Sequence, residues 1–366
     1  QVGMSIFTID APNSWVALFG RAYPDLTYLS AQLEGEHAYS IHRVRTKEGY
    51  QIDVEHQSFA TTLDEERAQA DELLRRLQAL KAKQDHDKAL AAVTPRIFDV
   101  RRIERGGLLH VFMARDVIDL PSIRELVLKP NRTLPYELAL RFGIALCEAV
   151  HAFHRYGLHR NLNPETVCFL PGKTEKLDRV LLSGLFYAKP SAGAMTLKEH
   201  LLDLRTVYRP PEQIDHGEYT ERSDMYAVAL LIGTTLAGRS PFQSTRLMDL
   251  IQQVLTTKPK LPPTVPQKLQ VVLDKAWSKK PAQRFHLMLD LKRQLGRLLT
   301  ERQAHAETRL IPGAAPAAGS GSAASGPSAS GANAAKSGRL AAGASRSGST
   351  STSGDSSSGA THPTKP

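Results

Sequence analysis

The chain has 366 residues, of which 41% are hydrophobic and 23% charged, ordinary for a soluble globular protein and ample for a substantial core. Its net charge of +10 raises nucleic acid or an anionic membrane as partners. The basic residues are scattered, however, through Arg101, Arg102, Arg105, Lys129 and Arg132 and then Lys258, Lys260, Lys279 and Lys280, with no stripe interleaved with aromatics, so a solvated basic surface is expected and nucleic acid is not.

In chain order, Tyr39–Val44 and Tyr50–Val54 alternate as half-buried strands. Leu63 to about Leu90 reads as a charged helix, with Leu73, Leu77 and Leu80 at helical spacing and Glu72 four residues before Arg76. At under four heptads, with an irregular apolar seam, it suits a single packed helix better than a coiled coil. Leu108–Met113 is a further strand. Pro135–Tyr156 then carries Leu138, Phe142, Leu146, Val150 and Phe153 on one helical face and stops at Gly157. Helices follow at about Ser223–Ala237, Leu247–Thr256, Pro266–Ser278 and Ala282–Leu299. From Pro312 to Pro366 the chain is almost entirely Gly, Ala, Ser, Thr and Pro, which is too little apolar area to offset ordering entropy, so a disordered tail or linker is expected. No stretch reaches the ~18–20 apolar residues of a membrane span. No signal-peptide pattern is read, and the opening at Gln1 suggests a fragment or processed form, with Met4 a candidate natural start. The two cysteines, Cys147 and Cys168, have no metal-ligand spacing and suit buried thiols in a reducing, cytoplasmic compartment.

One ordered set of strings is more specific. His159-Arg160-Asn161-Leu162-Asn163-Pro164-Glu165-Thr166-Val167 follows the long amphipathic helix. Val180-Leu181-Leu182-Ser183-Gly184-Leu185 comes next, then Tyr208-Arg209-Pro210-Pro211-Glu212, Glu221-Arg222-Ser223-Asp224-Met225-Tyr226, Gly238-Arg239-Ser240-Pro241-Phe242 and Lys280-Pro281-Ala282-Gln283-Arg284-Phe285. These resemble, in order, the catalytic loop, the D-F-G turn, the A-P-E segment, the opening of the central buried helix, the G-x-x-P-F string after it and the closing P-x-x-R of the eukaryotic-like Ser/Thr protein kinase superfamily. The resemblance covers about Tyr28 to Leu299. It implies an α+β, two-lobed fold: an N-terminal extension at 1–27, a small β-rich N-lobe with one main helix at 28–114, a helical C-lobe at 115–311, and the tail at 312–366. Gly157-Leu158-His159 has one apolar residue where kinases have two, so the approach to the loop is a residue short.

The structural members are present. The resemblance implies that Glu212 pairs with Arg284, that Asp224 accepts backbone N–H groups of the 159–161 loop, and that His159, Arg160 and Gly184 shape that loop. The chemical members are changed. Asn161 stands where the family has its catalytic base, Asn163 where a Lys neutralises the transferring phosphoryl, and Thr166 and Leu182 at the two metal positions. Ser183 replaces the Phe that packs beneath the N-lobe helix. Gly49–Glu55 is similar to the strand bearing the phosphate-binding Lys and puts Glu55 in its place, with the helix partner falling near Ala70 or Asp71. Gly35 is the one glycine left in the glycine-loop stretch 35–40. Val54, Met113, Ala114 and Phe169 are expected with Gly35 at the nucleotide pocket.

The chain is thus identified as a degenerate member, a pseudokinase whose Ala/Leu/Arg-rich style reads as bacterial. The expectation is a regulatory or scaffolding module that binds a protein partner such as an active kinase or a phosphatase. No metal site, no cofactor and at most weak, metal-independent ATP binding are expected. Three alternatives stand beside it: an active kinase using displaced residues such as Asp203 or Glu165, a kinase-like fold with other nucleotide chemistry, and a nucleic-acid binder. Arg160 resembles the arginine that grips a phosphate on the activation segment, here 186–207 with Ser191, Thr196 and Thr206; packing locally is its other reading. His151, His154 and His159 lack acidic or cysteine co-ligands and are read as core or surface histidines.

Overall fold

Five strands form one antiparallel sheet in the computed structural model, which describes residues 18–34, 39–128, 132–187, 207–215 and 218–310. The strands are β1 (Thr27–Glu34), β2 (Tyr39–Arg45), β3 (Gln51–Ala60), β4 (Ile97–Arg105) and β5 (Leu108–Asp116), in the spatial order β1-β2-β3-β5-β4. Between β3 and β4 the chain makes α1 (Asp64–His86) and α2 (Lys88–Val93). The sequence suggested one helix to about Leu90. It breaks at Asp87, whose carboxylate leaves the helical path and accepts from the backbone N–H of Ala89 at 3.0 Å and Leu90 at 3.2 Å, capping a second helix.

The two faces of the sheet are covered differently. Ala70, Leu73, Leu77 and Leu80 of α1 join Phe59, Leu109, Val111 and Met113 in a core that runs on into the helical part. On the other face Leu18, Phe19, Ala22 and Tyr23 pack on Val44, Ile52, Val54, Phe112 and Ala114. The sheet is therefore buried on both sides.

After β5 come α3 (Ile123–Val127), α4 (Tyr136–His154), the short hairpin β6 (Val167–Leu170) and β7 (Arg179–Leu182), then α5 (Pro211–Ile214), α6 (Glu221–Ala237), α7 (Leu247–Thr256), α8 (Gln267–Ala276) and α9 (Met288–Leu310). This is the expected two-lobed fold, a sheet-based N-lobe and a helical C-lobe. The last helix begins at Met288, not near Ala282, because Pro281–Gln283 forms a separate 3-10 turn. α6 is the axis of the C-lobe: every residue from Ser223 to Leu236 is buried. α4 lies close against it at Gly143, where a Cβ would come within 2.9 Å of Ile232 and 3.0 Å of Leu295.

Residues 18–310 fall within one unit, Gln1–Pro312, and the stretch 313–366 is a separate unit. The tail expected from Pro312, Gly35, and the activation-segment residues Ser191, Thr196, Asp203 and Thr206 lie outside the described residues. Among the described residues no helix is long and apolar enough to cross a membrane.

Glu212 and Arg284 fasten α5 to the C-terminal helices by two parallel hydrogen bonds of 2.6 and 2.8 Å. Arg284 also donates to the carbonyls of Ser278 and Arg222, each at 2.8 Å, and Ser223 Oγ donates to Glu212 at 2.7 Å. Arg284 is fully buried, so losing its partner strands a charge. Glu212→Ala is expected to lower unfolding stability by about 3–5 kcal/mol in urea titration, with the far-UV spectrum retained.

Candidate kinase-type cleft

The loop 159–166 leaves α4 and returns as β6. Asp224, at the start of α6, holds its near end by accepting from the backbone N–H of His159 at 2.9 Å and Arg160 at 3.0 Å. The shortened approach through Gly157-Leu158 therefore still delivers the histidine to its place. Burial pushes the His159 imidazole down to about 4, so it packs there as a neutral ring. Arg160 adopts φ +66°, in the left-handed region that a side chain disfavours. It is kept there by Asp224 on its N–H and by Gln213 donating to its carbonyl at 3.3 Å, while its guanidinium lies 4.9 Å from the Tyr219 ring centre.

Beyond Arg160 the polar side chains close on one another. The Asn163 amide donates to the Asn161 carbonyl at 3.0 Å and to Asn161 Oδ1 at 3.1 Å. Thr166 Oγ1 donates to the Asn161 carbonyl at 2.6 Å and accepts from Asn163 N–H at 3.1 Å. Asn163 Oδ1 accepts from Glu165 N–H at 2.9 Å. Gly184, at φ +73°, presses on this knot: a Cβ there would lie 2.6 Å from Thr166 and 2.9 Å from Asn161. Ser183 is tied down as well, its N–H and Oγ donating to the Thr166 carbonyl at 2.8 and 3.1 Å.

The two positions at which a kinase would hold magnesium do not fit a hard cation. Thr166 spends its hydroxyl within the loop, and Leu182 is a fully buried apolar side chain on β7. Among the described residues no group of three or more His, Cys, Asp or Glu side chains is arranged to hold a metal ion. Glu165, one of the displaced carboxylates considered above, pairs with Arg124.

Glu55 lies on β3 directly opposite Met113 of β5, on the face that α1 covers. On α1, Ala70 and Leu73 are buried, while Asp71 pairs with Arg102 and Glu72 with Arg75 and Arg76. A counter-ion comes from β5. Arg115 Nε donates to Glu55 at 2.5 Å and its Nη1 to Asp53 at 3.2 Å, and Asp53 is also gripped by Arg43 at 2.8 and 3.1 Å. Glu55, Asp53 and Arg115 are all buried.

Strand parity corrects three pocket expectations. Val54 and Ala114 project to the opposite face, among Phe19, Tyr23 and Phe112, because neighbouring residues in a strand point to opposite sides. Asp53, Glu55, Met113 and Arg115 take the cleft side. Phe169 likewise turns into the C-lobe core, its ring 5.1 Å from Phe142. Its neighbour Cys168 is the β6 residue near Arg115; burial, then Glu125, pushes its thiol up to about 11, with Arg115 acting the other way. The contact expected of a Phe at Ser183 is supplied two residues later. Leu185 and Phe186 are buried in the core, and Arg76 of α1 donates to the Phe186 carbonyl at 3.3 Å.

Residues 58–295 match the family described as protein tyrosine and serine/threonine kinase. The chain belongs to the protein kinase family. It is similar to bacterial proteins: a probable serine/threonine-protein kinase PknB of Corynebacterium glutamicum, 24% identical over 57% of this chain and 33% of that protein; PkaA of Streptomyces coelicolor, 28% identical over 52% and 34%; and PknL of Mycobacterium tuberculosis, 26% identical over 49% and 42%. The kinase domain described here thus spans well under half the length of these relatives.

Arg115 was not read from the sequence as a member of this kinase cleft. Its signal was a cation closing the largely apolar run Leu108–Ala114. Arg115→Leu removes a buried counter-ion from Glu55, while Asp53 keeps Arg43, and is expected to cost about 3–5 kcal/mol in chemical denaturation. Combined with Glu55→Leu the cost should fall short of the sum of the single changes by about 0.5–3 kcal/mol.

Proposed function

We propose that this kinase domain transfers no phosphate and serves protein-phosphorylation signalling as a regulatory or scaffolding module. The observation that carries the reading is the closed knot of Asn161, Asn163 and Thr166. Phosphoryl transfer depends on positioned charge: a base for the hydroxyl, a cation on the transferring group and carboxylate or amide oxygens on the metals. Here those positions hold neutral side chains whose hydrogen-bonding groups are engaged with each other. The acid–base exchange on the sheet supports the same reading, since Glu55 and Asp53 present carboxylates where a triphosphate would need a cation. Nucleotide binding, on this view, is weak and independent of metal.

The partner class we infer is a signalling protein, such as an active kinase or a phosphatase. A cytoplasmic setting agrees with the two buried free thiols. Several of the cations that raised nucleic acid are neutralised: Arg101 by Asp99, Arg102 by Asp71 and Lys258 by Asp274, while Lys279 donates to the Val254 carbonyl. A second reading, an active kinase with displaced metal ligands, is favoured by the serine/threonine kinases among its relatives. It would have to recruit Glu165 away from Arg124, or Asp203.

Incubation of the full chain with γ-labelled ATP and Mg²⁺ or Mn²⁺ separates the two. No label should enter the protein or a generic substrate, and Asn161→Asp should not restore transfer. Incorporation that is lost in Asp203→Ala would establish the active reading instead.

A further inference from the structure

The surface around α8 carries charge that the kinase reading does not use. Between Thr257 and Leu287 the chain has six lysines and one arginine against a single acid, Asp274. The arginine is Arg284, buried on Glu212, and Lys279 is half-buried, donating to the Val254 carbonyl at 2.5 Å. The other five, Lys258, Lys260, Lys268, Lys275 and Lys280, are exposed. α8 buries Leu269, Leu273 and Ala276 and leaves Lys268, Val271 and Lys275 exposed along its other side. Lys258 reaches Asp274 of the same helix at 2.7 Å, and Lys275 Nζ lies 4.5 Å from the Phe285 ring centre. Segments 258–260 and 280–287 therefore flank α8, and the second adds the exposed side chain of Leu287.

We propose that this lysine face is a docking surface for an anionic lipid membrane, with α8 along the bilayer and Val271 and Leu287 against the headgroup layer. Three acids oppose the lysines, and each is matched. Asp274 pairs with Lys258, Glu301 of α9 pairs with Lys268 at 2.6 Å, and Asp290, beside Leu287, pairs with Arg293 at 3.0 Å. Among the described residues Lys260, Lys275 and Lys280 have no carboxylate partner and remain as uncompensated cations. A lysine within a Debye length of a negatively charged leaflet is attracted without any fixed geometry, so these three act together.

Two observations favour lipid over other polyanions. Every exposed cation between 257 and 287 is a lysine. A compact, strongly hydrated ammonium suits diffuse attraction to a charged layer, whereas arginine's planar fork is the group that reads phosphates, bases and carboxylates through paired bonds. Val271 and Leu287 also stand exposed among the lysines, at 59% and 48%. An interfacial helix places such apolar side chains at the boundary of headgroup and acyl chain, and a hydrated sugar–phosphate backbone has no use for them. None of these residues belongs to the kinase cleft, and the attraction is the same whether or not the domain transfers phosphate.

Co-sedimentation of the full chain with vesicles tests this, at about 0.1 M salt, where the Debye length is about 10 Å. The vesicles are phosphatidylcholine alone, or phosphatidylcholine with about one-third phosphatidylglycerol. Binding is expected with the anionic vesicles only, and it should weaken as salt is raised. The double variant Lys275→Gln/Lys280→Gln should lower the partition coefficient about fivefold for each lysine removed. Lys173→Gln/Lys176→Gln, exposed between β6 and β7, takes the same charge from the chain and should leave the coefficient nearly unchanged. Val271→Ser should weaken binding while its salt dependence is retained. Equal binding to both vesicle types, no binding to the anionic ones, or equal losses from the two double variants would overturn the lipid surface. So would a chain that ignores vesicles but binds poly-glutamate or duplex DNA through Lys275 and Lys280.

Discussion

Asp224 is a carboxylate with no contact to solvent, placed at the first turn of a helix that is itself buried almost throughout. It accepts from two backbone N–H groups of the loop, from His154 at 2.9 Å and from Tyr219 at 2.5 Å. Burial alone would raise its carboxyl; the hydrogen bond and charge of His154, then His159 and Tyr219, more than offset this and hold it below the usual carboxylate range. An ion in that position is costly unless every lone pair has a donor, and here the donors come from three separate parts of the chain. The near end of the loop 159–166 and the end of α4 take their places from this one group. The strained backbone of Arg160 depends on it, because a left-handed arginine persists only where its surroundings over-determine it.

That dependence explains why a kinase fold can keep its shape while its chemical positions change. Asp224, Glu212 and Arg284 act on backbone groups and on each other, and none of them needs substrate. Asn161, Asn163 and Thr166 lie one step further out, where neutral side chains have satisfied one another. On the sheet the same thing has happened with charge. On the proposed reading Glu55 stands in the place of a cation, and Arg115 on the facing strand neutralises it from within the protein. Each exchange removes a group that ligand would otherwise have satisfied, and each supplies a protein group instead.

The C-lobe was legible in the sequence because its signals are local strings in fixed order, each tied to a loop or helix end: His159, Gly184, Glu212, Asp224 and Arg284 fall where the strings implied. The cleft wall was less legible. Arg115 meets Glu55 across a β3–β5 pairing sixty positions apart, and no local pattern carries that register. Val54, Ala114 and Phe169 were placed one residue off in parity, which in a strand exchanges one face for the other. The break at Asp87 was hidden because the apolar spacing continues through it, and only the capping carboxylate ends the helix.

The proposed function requires that protein groups in the kinase cleft take the places of nucleotide and metal contacts. A thermal-shift titration of the full chain with ATP, run with and without Mg²⁺ or Mn²⁺, reads this directly, because a ligand that binds only the folded state stabilises it by RT ln(1 + [L]/Kd) and so raises its melting temperature. The account predicts no more than a small shift with ATP and no increase on adding metal. A clear metal-dependent rise would contradict it.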